Sequence, residues 1–169
     1  MATLVTLGLS KILGKAGEPT KGDFVETDYT PYGLTYEDTC KMSQDDPGTT
    51  EFYAEEEDDP VEITEKQGKI TFAFSIMNPD LETLKRFFGG EVAENIYAYP
   101  DQVATVEESI IILPRKGLKF QVPRMKLNAK INGEFSKKGL LLLEVTGTVL
   151  KPKTSGLKKM YVTKVAASE

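Results

Sequence analysis

The residues of this sequence with the clearest capacity for chemistry are carboxylates in its second quarter. Grouped carboxylates could bind calcium or act as general acids and bases. A calcium loop needs oxygen ligands at alternating positions and a glycine at a set place, and the run EEEDDP lacks that spacing. We therefore expect a solvated loop that protects strand edges, or an electrostatic surface, and no metal site. The candidate residues are Asp45, Asp46, Glu55, Glu56, Glu57, Asp58 and Asp59.

Histidine is absent from the sequence, and Cys40 is the single cysteine. The absence of histidine excludes Ser-His-Asp triads, Cys-His dyads and histidine-bound metal centres. The phosphate-binding patterns G-x-x-x-x-G-K-[ST] and G-x-G-x-x-G are also missing. Cys40 is expected to be a small, half-buried strand residue, since no histidine is available to activate its thiol. The sequence thus predicts no catalytic residue and no cofactor, and we expect a protein that is not an enzyme.

The charge balance of the chain argues against tight binding of nucleic acid. The sequence has 21 basic and 26 acidic residues, a net charge of −5, whereas neutralisation of phosphates supplies most of the affinity for nucleic acids. A basic patch is conceivable at Lys126, Lys130, Lys137 and Lys138. Acidic residues surround these lysines and few aromatic residues lie between them, so we interpret them as a solvated strand face.

The run of four leucines at 140–143 is apolar on both faces of a predicted strand. A strand of this kind is typical of a sheet that is covered on both sides. One face is expected to pack in the core of the chain. The other, with Leu140 and Leu142, is a candidate interface with a neighbouring subunit.

Alternation of apolar and polar residues predicts most of the secondary structure as β-strands. The clearest strand covers KITFAFSIM, where Ile70, Phe72 and Phe74 share a face. Pro123 is expected to separate two further strands. The full set of predicted strands lies at 3–13, 37–44, 49–55, 61–65, 69–77, 105–113, 118–122, 124–131, 139–150 and 157–165.

One helix is predicted over 79–88. Asn78 is a good N-cap, Pro79 suits the first helical position, and Gly89 supplies a stop signal. Strands that do not alternate with helices favour antiparallel sheets. The predicted fold class is mainly β: an antiparallel β-sandwich or barrel of two packed sheets, flanked by one short α-helix, in a single domain over 1–169.

Two segments are predicted to lack a place in this sheet. Residues 14–37, with several glycines and prolines, are expected to form a long loop or arm, and residues 45–60 an acidic loop. The first residues are interpreted as a strand and not a signal peptide, because Lys11 interrupts the apolar stretch. No run of 18 apolar residues occurs, so no membrane-spanning segment is expected.

The order of these features resembles the tail tube (major tail) proteins of long-tailed bacteriophages. The resemblance rests on an acidic loop, a long alternating strand, Asn-Pro-Asp, a short helix and Gly-Gly across 45–90, and on the strands at 124–150. It covers a little under half of the chain and is one of pattern and order. Type VI secretion tubes share the fold of this family.

The resemblance implies a structural role in a virion tail, with the protein made in the cytoplasm of the bacterial host. Family members form stacked rings, six copies to a ring, with a lumen through which the genome passes. The implied partners are other copies of the chain and tail components such as tape measure and tail-end proteins, with no cofactor and no membrane. DNA would pass the lumen without specific binding, and negative charge would help to repel its phosphates. The arm at 14–37 and the loop at 45–60 would be the inter-ring elements.

Two other interpretations remain open at the level of sequence. One is a monomeric β-barrel that binds a small ligand in a pocket lined by Phe72, Phe74 and the residues that face them. The other is an enzyme that uses carboxylates alone, such as a glycosidase, which would need two acidic residues in a cleft with aromatic side chains. The aromatic residues lie at core-periodic positions, which favours the assembling protein over the glycosidase.

Overall fold

The computed structural model describes residues 4–22 and 24–165. Over these residues the chain is mainly β with antiparallel sheets and one short α-helix, which confirms the predicted fold class. A single turn of 3-10 helix covers Glu26–Asp28. The elements are β1 (Lys11–Ala16), β2 (Thr30–Pro31), β3 (Lys41–Gln44), β4 (Gly48–Tyr53), β5 (Pro60–Lys66), β6 (Ile70–Ile76), α1 (Leu81–Phe88), β7 (Glu91–Ala93), β8 (Ile96–Ala98), β9 (Val106–Leu113), β10 (Leu118–Gly133), β11 (Leu141–Val149) and β12 (Tyr161–Lys164).

Eight strands form one antiparallel sheet in the order β2-β1-β9-β10-β11-β6-β3, with β12 paired to the first part of β10. Two small hairpins, β4–β5 and β7–β8, complete the strands. The core lies on the face that carries alternate residues of β6 and β11, among them Phe72, Phe74 and Val145. This alternation was visible in the sequence and follows from the period of two along a strand.

The large sheet folds over itself at a β-bulge in β10. The sequence predicted two strands separated by Pro123, but β10 is continuous, and its pairing with β9 shifts register between Val122 and Met125. A bulge bends a strand and increases its twist. The rings of Phe72 on β6 and Phe120 on β10 therefore meet, with centroids 6.4 Å apart, across the inside of the fold. One bent sheet thus supplies both layers of the core.

Helix α1 packs on the sheet, as the sequence predicted, but it begins later. Its N-cap is Asp80, whose side chain accepts a hydrogen bond from the Thr83 N–H at 2.8 Å, so the prediction of Asn78 as the N-cap was wrong. The Asn78 side chain instead accepts the Leu34 N–H. Phe87 and Phe88 are buried against the core.

Residues 14–37 do not form a projecting arm, which corrects the prediction from their composition. The first three residues of this range belong to β1, and the segment then crosses the outer face of the sheet. Tyr29 is 7% exposed and its hydroxyl lies 2.7 Å from that of Ser109, while Tyr32 enters the main core. Its aromatic side chains bind this segment to β9, whose residues are buried on both faces.

Candidate functional site

The acidic candidates lie on a β-hairpin that extends the pair β3–β6. We call residues 45–68 the hairpin arm; its two strands are β4 and β5. Asp45 and Asp46 lie at its root, where the Asp45 N–H donates to the Lys69 carbonyl at 3.0 Å. Gly68 is required there, because a Cβ at this position would overlap the Asp45 carbonyl oxygen.

The predicted acidic loop of 45–60 is therefore only partly a loop. Strand β4 occupies its middle, and the tip of the arm is the turn between β4 and β5. This tip carries Glu55, Glu56, Glu57, Asp58 and Asp59, all of them exposed. A six-residue strand is about 20 Å long, so the five tip carboxylates lie about that far from Asp45 and Asp46. The structure separates the acidic candidates into a root pair and a tip cluster.

Every residue of β4 and β5 is exposed. The pairings of Glu51 with Ile63 and of Phe52 with Glu62 place Ile63 and Phe52 on opposite faces, and the register shifts between Phe52 and Tyr53, next to Val61. These four apolar side chains are each more than half exposed, between 51% and 62%. A two-stranded hairpin without cover on either face is marginally stable at best in water. The arm thus has little support from the core formed by the described residues.

The leucine candidates lie at the opposite end of the large sheet from the arm. Leu140 is 42% exposed and Leu142, opposite Asn132, is half-buried, while Leu143 on the other face is fully buried. The pairing of β11 with β6 brings Val149 to the root of the arm and Leu141 to the far end. At about 3.4 Å per residue these ends lie about 27 Å apart, so the structure does not unite the leucines with the acidic residues.

A buried polar network that the sequence did not reveal joins α1 to the sheet. Glu108, only 5% exposed, accepts a hydrogen bond from Arg86 Nε at 2.9 Å and another from the Tyr32 hydroxyl. The Arg86 guanidinium also lies 4.1 Å from the centre of the Tyr32 ring. Burial and the Glu108 carboxylate raise the pKa of Tyr32 well above its usual value, so this hydroxyl stays a donor. These contacts between protein groups position α1 and the crossing segment.

A pocket of about 650 Å³ is lined by residues of β1, β3, β6, β9 and β10 and of the loops between strands. Its floor is apolar, with Phe72, Phe120 and Ile112, and charged side chains lie at its margin, namely Lys11, Glu37, Asp38, Lys41 and Arg115. Phe74, expected in such a pocket, packs instead against Tyr32 with ring centroids 5.8 Å apart. Cys40 also lines the pocket, and burial raises the pKa of its thiol, which keeps it protonated at neutral pH.

Within residues 4–22 and 24–165, no group of three or more acidic or cysteine side chains is arranged to hold a metal ion. In the same part of the chain, no helix has the length and apolar character needed to cross a membrane. Comparison with models of known protein families and with curated proteins found no match for this chain.

Proposed function

We propose that this chain is a structural, non-catalytic protomer that assembles with copies of itself into stacked rings, as in the tail tube of a long-tailed bacteriophage. The observation that carries the proposal is the hairpin arm. Every residue of its two strands is exposed, and four of its apolar side chains are more than half exposed among the described residues. Apolar surface of this kind is typical of protein–protein contacts.

The edges of the large sheet support the same proposal. In the order of its strands, β2 and β3 lie at the two ends, and each has one edge without a partner strand in the part of the chain that the structure describes. An unpaired edge presents backbone N–H and C=O groups that can pair with another chain. A ring in which sheets of neighbouring copies join would use these edges.

The proposed partners follow from the same role. They are further copies of the chain and other tail components, such as tape measure and tail-end proteins, in a virion tail assembled within the bacterial host. DNA would pass through the lumen of the rings. Carboxylates that face such a lumen would repel phosphates and keep the channel from retaining its cargo.

Native mass spectrometry and negative-stain electron microscopy of the purified chain test this proposal. The expected result is a ring-sized oligomer, or tubes with a regular axial repeat, at micromolar concentration. A strict monomer over a wide range of concentration and ionic strength would contradict it. A type VI secretion tube would give the same images, and only the genes beside this one would distinguish the two.

The pocket favours a second candidate function, a monomeric module that binds a small ligand. Its volume of about 650 Å³ is within the range of ligand sites, and its apolar floor and charged margin are the combination such sites use. This candidate predicts a monomer that carries a bound compound after purification. Native mass spectrometry would detect the compound as added mass that denaturation removes.

A further inference from the structure

The hairpin arm concentrates the negative charge of the whole protein. Residues 45–66 contain ten of the 26 acidic residues and one of the 21 basic residues, so this part carries −9. The remainder of the chain, with 16 acidic and 20 basic residues, carries +4. The net charge of −5 is thus the sum of a strongly acidic hairpin arm and a weakly basic remainder of the chain.

Among the described residues, the acidic side chains of the arm form no ion pair with a basic residue. The four ion pairs between described residues are Arg86–Glu108, Lys119–Glu26, Arg124–Glu107 and Lys130–Glu144. None of them includes a residue of the arm. Like charges held this close repel one another, and the arm would be stabilised by a surface of opposite sign.

Two stretches of the chain have the opposite character. Residues 115–130 contain six basic residues and no acidic residue, but Lys119, Arg124 and Lys130 each take part in one of the four ion pairs. Residues 151–164 contain five lysines and no acidic residue, and we call them the basic segment. Its lysines are Lys151, Lys153, Lys158, Lys159 and Lys164, and none of them takes part in the four ion pairs. The exposed loop at 134–139 has two lysines and one glutamate, a weaker accumulation of positive charge.

The backbone of the basic segment is held in place, which makes it a defined surface. The Glu18 carboxylate accepts the Lys153 and Thr154 backbone N–H groups at 2.7 and 2.8 Å. Burial raises the pKa of Glu18, but these hydrogen bonds outweigh that effect and lower it. The Tyr161 hydroxyl accepts the Lys158 N–H at 2.9 Å, and β12 then pairs with β10. Ordering the segment therefore costs little when a partner binds.

We propose that the hairpin arm of one copy docks on the basic segment of a second copy. Within one chain, no hydrogen bond or ion pair between described residues joins the two. Contact between copies would pair the tip carboxylates with lysines and would cover Tyr53, Val61 and Ile63, with Val162 of the segment 47% exposed on the receiving side. The proposal rests on self-assembly as the proposed function and names the surfaces that meet.

Charge reversal on the basic segment tests the docking. In the full chain, K158E/K159E is expected to weaken association between copies about tenfold, because two attractive contacts with the tip carboxylates become repulsive. The matched control K137E/K138E makes the same change of net charge on the loop at 134–139 and is expected to leave association within twofold. Mass photometry across a concentration series measures both, and circular dichroism verifies that each variant is folded.

The compensating variant makes the test specific. E56K/E57K alone is expected to weaken association about tenfold, and its combination with K158E/K159E to restore most of it. A zero-length carbodiimide cross-link between a tip carboxylate and Lys158 or Lys159, in a mixture of light and heavy isotope-labelled chains, would show that the contact is between copies.

Each of the following outcomes would contradict the proposed docking of the hairpin arm on the basic segment. If K158E/K159E associates like the unaltered chain while rings still form, the docking is wrong and the proposed function stands. If the control variant weakens association equally, the effect is one of net charge and the named contact is wrong. If the unaltered chain never associates, both proposals fail. If K158E/K159E abolishes binding to a DNA duplex and leaves association intact, the basic segment serves nucleic acid instead.

Discussion

Removal of the hairpin arm should separate folding from assembly. Because the Asp45 N–H donates to the Lys69 carbonyl, these two residues already face each other across the root. We expect residues 46–68 to be replaceable by Asn-Gly, the dipeptide favoured in two-residue hairpin turns. The replaced range contains no residue of either core cluster. The variant should therefore fold with its large sheet unchanged.

The magnitude follows from loop length and charge. Replacing 23 residues by two lowers the entropic cost of closing the loop by about 2 kcal/mol at most. The free energy of unfolding should thus be unchanged or up to about 2 kcal/mol higher, which for a chain of this size raises Tm by about 0 to 8 °C. The replacement removes nine acidic residues and one lysine, so the net charge changes from −5 to +3.

Thermal unfolding followed by circular dichroism and mass from light scattering provide the two measurements. We expect a stable variant whose rings no longer stack into tubes. A fall in Tm of more than about 5 °C would refute the reasoning about stability, since it would mean that the arm supports the core. Tubes of normal length from a well-folded variant would refute the assignment of the arm to assembly.

Three further predictions concern the core and its ion pairs. Gly147→Ala should destabilise the fold by about 1–3 kcal/mol in urea unfolding, because a Cβ there would overlap Met125, whereas Gly48→Ala, on the open arm, should change little. Leu143→Ala should cost about 2–5 kcal/mol, and Leu141→Ala, 39% exposed, much less. The Arg124 hydrogen bonds lower the pKa of Glu107. The contribution of this ion pair to stability is therefore complete above the unfolded-state pKa of about 4.5 and is lost as the pH falls through the lower folded-state pKa. Glu107→Gln should reduce the fall in Tm below about pH 5, and an unchanged slope of Tm against pH would contradict this.

Local pattern was enough to predict most of the strands and the helix, since a period of two and a capped apolar stripe are properties of contiguous residues. The strand predicted at 3–13 was wrong in its bounds, because β1 begins at Lys11 and ends at Ala16. The same logic missed β7 and β8, because strands of three residues are too short to show a period. It also placed a break at Pro123, since proline removes one N–H donor, whereas a bulge accommodates the proline within a continuous strand.

The sequence by itself determined the class of the fold, the absence of histidine chemistry and the position of the acidic run along the chain. Only the tertiary structure decided which of the two unusual segments projects. Composition made 14–37 look like the arm, but Tyr29 and Tyr32 find buried partners on β9 that lie more than 75 residues away. The acidic hairpin has no such buried partner within residues 4–22 and 24–165. Whether a segment packs on the sheet or projects from it depends on contacts between residues distant in sequence, so it cannot be predicted from a local pattern.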